Sequence, residues 1–229
     1  YEEGTKKFLK ENVELDKNDT YTVHELSDIM NFDAYKRKFT MEAFVVSTNV
    51  NFVSRACKID ENLYNGHLHV LNNIIDYDYL HEKIRVQGGA YGAKMTVKEN
   101  GCIAYFSYSD PKFVETDNVY KNTHIFINNL DMSKEDIDAN IIGSIRKIDT
   151  YPLPYEKHLR NLVYRIKNMD NDYINNLRHE ILSTTLDDMK VYKDILAKAT
   201  TSSEFCAIVT AENQALAKEK YKIVKKIGK

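Results

Sequence analysis

Lys83–Asp110, KIRVQGGAYGAKMTVKENGCIAYFSYSD, decides how this chain is read. It runs from a helix end through Gly88-Gly89, an aromatic residue and Gly92 into two short runs rich in apolar, β-branched and aromatic residues. Asn100-Gly101 lies between those runs, Tyr91–Val97 and Cys102–Tyr108. Asn-Gly in that setting is a strong hairpin signal, because both residue types accept the positive φ of a tight turn. Asp110-Pro111 ends the second strand. Glycines also let the backbone approach another chain closely. A tight glycine turn can therefore swing Arg85 and Tyr91 towards one point in space. A guanidinium fork and a phenol hydroxyl together form a donor pair for an oxygen that gains negative charge. Gly88-Gly89 keeps two readings: a helix C-cap leading into a strand, or a functional loop. A phosphate cradle fits poorly, because GxxxxGK[ST] is absent and the glycines follow a helix rather than open one.

Outward from this stretch, Gly66 to about Arg85 reads as a helix, with Leu68, Leu71, Ile74, Ile75 and Leu80 near helical spacing. Met41–Lys58 reads as a strand. Its more apolar alternate set, Phe44, Val46, Thr48, Val50 and Phe52, is expected to face the core. Downstream, Phe113–Asn129, Ser133–Ile148, Tyr155–Met169 and Asp172–Ala199 read as helices, the second opened by a Ser133 cap with Asp136 three residues on. Glu204–Thr210 reads as a short buried strand and Glu212–Ile227 as a final amphipathic helix. Strands set apart from a run of helices imply an α+β domain: a mostly antiparallel sheet with helices packed on one face. Residues 1–37 read as a polar lead-in segment and 38–229 as a single domain.

Bulk composition sets the outer limits. The chain has 229 residues, 43% hydrophobic and 29% charged, enough to bury a core without disulfides or structural metal. A net charge of −2 gives no field towards nucleic acid or an anionic membrane. No apolar run approaches the roughly 20 residues needed to span a bilayer. Cys57, Cys102 and Cys206 are scattered and odd in number, which fits a reducing compartment such as cytoplasm or an organelle matrix. The chain starts at Tyr1, so it reads as an excised domain or processed product.

RVQGGAYGA, the Asn-Gly hairpin and SYSDP resemble the Arg–Tyr loop of insulinase-type zinc metallopeptidases. FVVSTNVNFVSRA, GHLHVLNNIIDYDYLHEKIR, DPKFVETDNVYKN, NIIGSIRKIDTYPLP and RHEILSTTLDDM extend the resemblance in order over roughly residues 40–210. The nearest branch is the presequence proteases, and the part matched is their carboxy-terminal domain. The resemblance implies a domain of the kind shared with mitochondrial processing peptidase. It also implies a four-domain enzyme that closes around unfolded peptides. Zinc would be held by an amino-terminal domain of the same polypeptide, in an inverted HxxEH motif. Carried over here, Tyr91 would contact the scissile carbonyl or its oxyanion and Arg85 the peptide backbone, with Gly88, Gly89, Ala90 and Gly92 forming the substrate loop. An alternative is an insulinase-fold scaffold or peptide-binding subunit without catalysis.

A zinc motif is missing from the chain itself. HxxEH does not occur. His24-Glu25, His81-Glu82 and His179-Glu180 each lack the second histidine of HExxH, with Asp28, Arg85 and Ser183 in its place. His67 and His69, two apart on a helix, point to different faces. Asp187, Asp188 and Glu180 read as a solvated helix face. No GxSxG nucleophile motif is present. Of the tyrosines near the loop, Tyr77, Tyr79, Tyr105 and Tyr108 read as packing residues, with contact to peptide as the alternative. By itself the chain is expected to be inactive and to hold no metal.

Overall fold

In a computed structural model the chain divides into two compact units, Tyr1–Lys38 and Phe39–Lys229. The structure describes residues 41–167 and 169–227, all in the second unit. The lead-in segment read over residues 1–37 lies outside them.

A six-stranded sheet forms the floor of this unit. Its strands are β1 (Met41–Val46), β2 (Asn51–Lys58), β3 (Gly92–Val97), β4 (Cys102–Asp110), β5 (Glu204–Thr210) and β6 (Ile223–Lys226). They lie in the order β3-β4-β2-β5-β1-β6. The pairs β3–β4, β4–β2 and β2–β5 are antiparallel, while β1 runs parallel to both β5 and β6. Helices fill the connections: α1 (Gly66–Ile74, continuing in wider turns over Ile75–Val86), α2 (Val114–Lys121), α3 (Thr123–Asn128), α4 (Lys134–Ile148), α5 (Pro154–Ile166), α6 (Asn171–Leu182), α7 (Leu186–Lys190), α8 (Tyr192–Thr201) and α9 (Gln214–Lys220). This is the expected α+β architecture.

One sheet face is buried and the other is not. Ala43, Val45, Val53, Ile103, Tyr105, Phe205, Ala207 and Val209 point into a core shared with Leu68, Leu71, Ile74, Leu80 and Ile84 of α1 and its extension. Phe52, Tyr108 and Ile208 lie on the opposite face and are exposed. The strand expected over 41–58 is therefore corrected twice. It is two strands, each flanking β5, and the odd-numbered set is the buried one. Both faces carry apolar residues, so a count of hydrophobicity picks the wrong one. Phe44, Ile208 and Phe52 stand in one cross-strand row on the open face and cover one another in part.

Three of the expected helices are also broken, the one read over 113–129 dividing at Asn122 into α2 and α3. The residues read as one helix over 172–199 form α6, α7 and α8, because Thr185 accepts the Asp188 N–H and restarts the chain. The residues read as a last helix over 212–227 form α9 and the edge strand β6, whose Lys225 and Lys226 suit an exposed edge. Ser133 caps α4 as expected, accepting the Asp136 N–H at 3.1 Å.

A buried ion pair ties the helices to the sheet. Arg55, on the inward face of β2, donates from Nε to Asp117 Oδ1 of α2 at 2.6 Å, and both side chains are buried. Its Nη1 donates to the Ser203 hydroxyl, and its guanidinium lies 5.4 Å from the Phe205 ring centroid. The Asp117 carboxylate also takes Lys121 at 2.7 Å. A guanidinium out of water is costly unless its partner stays in place. Asp117→Ala is therefore expected to cost about 3–5 kcal/mol in urea unfolding. Adding Arg55→Met should recover part of that loss. A double variant no more stable than the single one would mean that the pair is not what holds α2.

Candidate functional site

The site grows out of the end of α1. In its wide extension, Gln87 N–H donates to Glu82 C=O, five residues back, at 3.0 Å. The helix then stops in a left-handed glycine cap, one residue wider than a Schellman turn. Gly89 N–H donates to Arg85 C=O at 2.9 Å, and Ala90 N–H to Ile84 C=O at 3.0 Å. Gly89 has φ +85°, which only glycine adopts freely. Ala90 and Ile84 are both buried in the core. The cap reading of Gly88-Gly89 is correct, and the cap is also what brings Arg85 and Tyr91 together. The Arg85 guanidinium carbon lies 6.0 Å from the Tyr91 ring centroid. Arg85 is exposed, and Tyr91 is 68% exposed. Of the remaining loop residues, Gly89 faces solvent whereas Ala90 is buried.

Beyond the loop, Gly92 opens β3 opposite Tyr108 of β4. The hairpin closes at Gly101, φ +75°, with Gly101 N–H to Lys98 C=O and Lys98 N–H to Cys102 C=O, both 2.9 Å. This is the hairpin that Asn100-Gly101 signals. At its open end, β4 carries a feature that the sequence does not announce. The register between β2 and β4 shifts between Asn51 and Val53, so that Tyr108 and Ser109 together oppose Phe52. Ser109 has φ +49°, the one positive value outside glycine among the described residues. Such a bulge bends its strand and re-aims side chains. Below it, the Asp110 carboxylate takes the Ser107 hydroxyl at 2.6 Å, the Thr116 hydroxyl at 2.8 Å and the Lys112 N–H at 2.9 Å. The buried Asn51 side chain donates to Asp110 C=O at 2.9 Å and accepts the Thr210 N–H at 3.1 Å, joining the ends of β2, β4 and β5.

Other residues singled out from sequence have structural partners. His67 Nδ1 lies 3.0 Å from the Thr184 hydroxyl, and His69 Nε2 lies 2.8 Å from the Tyr64 hydroxyl. Burial lowers the pKa of His69. Glu180 accepts the Gly66 N–H that begins α1, at 2.8 Å. The Thr185 hydroxyl holds the Asp188 carboxyl below its ordinary range. These two acids cap helices rather than form a bare solvated face. Tyr79 and Tyr105 are core residues, stacked on Phe126 and Tyr120, while Tyr77 and Tyr108 reach the surface. Among the described residues, no group of three or more His, Cys, Asp or Glu could hold a metal ion. None of their helices is long and apolar enough to cross a membrane.

The chain belongs to the PreP C-terminal domain family, whose model matches residues 41–212. It is 31% identical over 175 residues to presequence protease 1, chloroplastic/mitochondrial, of Arabidopsis thaliana, a match covering 75% of this chain and 16% of that protein. Protein HypA of Clostridium perfringens is 25% identical over 204 residues, covering 87% of this chain and 20% of that protein. The chain thus spans a fifth or less of the length of these relatives. Its fold is similar to that of a peptidase M16 inactive domain from Pseudomonas fluorescens, with a TM-score of 0.54, 12% identity, and coverage of 74% of this chain and 43% of the other.

At Gly89 an added Cβ would meet only Pro111 Cγ at 3.5 Å, so the constraint there is backbone conformation rather than space. Gly89→Ala is expected to cost about 1–2 kcal/mol, and Gly89→Val more. Urea titration and a crystal structure of the valine variant check this. Parental stability with an unmoved loop would overturn it.

Proposed function

We propose that this chain is the carboxy-terminal, substrate-contacting domain of a longer zinc metalloendopeptidase that degrades unfolded peptides in a closed chamber. The observation that carries the reading is the Arg85–Tyr91 pair, exposed and held by a helix cap, within a chain of the PreP C-terminal domain family. In this role the Tyr91 hydroxyl donates to the scissile carbonyl and to the oxyanion that follows from it. The Arg85 fork holds the peptide backbone. Zinc belongs to the amino-terminal catalytic domains of the same polypeptide, as the family resemblance implies. No step of the zinc chemistry is assigned to this chain.

Two surfaces support a partner within the same polypeptide. The open sheet face presents the row Phe44, Ile208 and Phe52. Helix α5 buries none of its residues and leaves Tyr155, Leu159, Leu162 and Ile166 exposed at helical spacing. Exposed apolar stripes of this kind mark interaction surfaces. Edge strand β3 would also extend an unfolded peptide by main-chain hydrogen bonds, apart from the Met95 N–H, which the Asp76 carboxylate takes at 2.6 Å. A second reading, a non-catalytic scaffold or peptide-binding subunit, is favoured by one finding: the similar Pseudomonas domain is described as inactive. The two readings part on whether an intact HxxEH accompanies this domain in its polypeptide.

In the full-length polypeptide, Tyr91→Phe and Arg85→Ala are each expected to lower kcat/KM roughly 10²–10³-fold, the usual cost of one oxyanion donor, with unchanged unfolding midpoints. Full activity in both variants would remove the pair from the reaction. Peptide cleavage by the 229-residue chain alone would show that it carries a complete catalytic site of its own, against this reading.

A further inference from the structure

We infer that Tyr108 is a positioning residue for Tyr91, and that position 92 is glycine because the Tyr108 ring lies across it. The inference rests on the role proposed for Tyr91. Tyr91 is 68% exposed, so little of its ring is fixed by packing. What holds it comes from the two bulge residues. Its backbone N–H donates to Ser109 C=O at 3.3 Å. Its ring meets the Tyr108 ring at a centroid distance of 5.5 Å, tilted by 54°. Arg85 is the third neighbour, 6.0 Å from the ring centroid.

The bulge is what makes this arrangement available. With Tyr108 and Ser109 both opposing Phe52, and Ser109 at φ +49°, the strand turns at Tyr108. The Tyr108 side chain then folds over its cross-strand partner. A Cβ built at Gly92 would stand 2.6 Å from the Tyr108 hydroxyl oxygen and 2.7 Å from Cε1 and Cζ. The ring therefore occupies the space a side chain at position 92 would need. Gly92 has no positive φ, so the absence of a Cβ there answers to the ring and not to the backbone. An aromatic residue laid over a strand glycine also strengthens a hairpin, so stability alone would not distinguish positioning from packing. The Tyr108 hydroxyl has no hydrogen bond to any described residue, which leaves the ring as the working part.

The test uses the full-length enzyme and measures kcat, KM and unfolding midpoint for each variant. Tyr108→Ala is expected to lower kcat roughly ten- to a hundred-fold, as a misplaced contact does, with KM little changed. Tyr108→Phe keeps the ring and should restore turnover. Gly92→Ala pushes the ring aside without backbone strain and should reproduce Tyr108→Ala. In a Tyr91→Phe background, Tyr108→Ala should add nothing. In the 229-residue chain, nuclear Overhauser contacts between the two rings should be present and should vanish in Gly92→Ala. A Tyr108→Ala enzyme with normal kcat beside an impaired Tyr91→Phe overturns this inference alone. A fully active Tyr91→Phe overturns the proposed role of Tyr91 and this inference with it. A Tyr108→Ala defect that Phe does not rescue, or one seen only in the unfolding midpoint, also overturns it.

Discussion

The hydrogen bond from Ala90 N–H to Ile84 C=O, 3.0 Å long, is the contact on which this surface depends. It closes the glycine cap and requires the positive φ of Gly89. With it in place, Arg85 sits on the last helical turn and Tyr91 follows directly after the reversal, so six residues of chain return on themselves. The wide winding of Ile75–Val86 matters here as well, because it alters the direction in which the last turn presents its side chains. Wide turns inside helices often occur at functional sites. The cap is local, but the ring of Tyr91 has its final position only through β4, which α1 does not touch in sequence. Helix end and hairpin must therefore share one core. Buried Ile84 and Ala90 on one side, with Met95 and Tyr105 on the other, belong to that core.

The same one-sidedness explains the sheet. The face under the helix layer mixes small and β-branched residues, Ala43, Val45, Val53 and Ala207, with the large apolar rings of Tyr105 and Phe205. Arg55 is the exception, tolerated through Asp117, Ser203 and the Phe205 ring. It is weak evidence for stability, since an apolar side chain of similar size would pack there at little or no loss. Its geometry joins β2, α2 and the turn before β5, which are distant in sequence. On the open face, Phe44, Ile208 and Phe52 line up across strands instead.

What could be read from residues follows from how local each determinant is. The Asn100-Gly101 hairpin, the Gly89 cap and the Ser133 cap are decided within a few residues, and each stands where its residue types put it. The convergence of Arg85 and Tyr91 was legible for the same reason. The burial parity of residues 41–58 was not, because it depends on which face the helices cover, a choice made by distant segments. The break at Thr185 carried a signal, since Thr185 and Asp188 form a reciprocal cap, but the apolar spacing running through it hid the interruption. β6 read as the end of a helix because lysines suit both a helix C-terminus and an exposed strand edge. The bulge at Tyr108–Ser109 was beyond reach. Serine has no preference for positive φ, so its conformation there is imposed by the anchored ends of β2 and β4 around Asn51 and Asp110.

The exposure of the pair bears on how the proposed role would work. In the domain alone, Arg85 and Tyr91 face water, where a donor exchanges one hydrogen bond for another and gains little. The same donors count for much more when water is excluded and the effective dielectric falls. Under the proposed role, then, this domain contributes geometry, and closure against the rest of the polypeptide supplies the medium in which that geometry acts. A pair fixed before closure needs no rearrangement when the oxyanion forms, which is the condition for preorganised donors to lower a barrier. That is why the contacts behind Tyr91 matter as much as its hydroxyl: a phenol free to rotate would lose, on ordering, part of what the closed site gains.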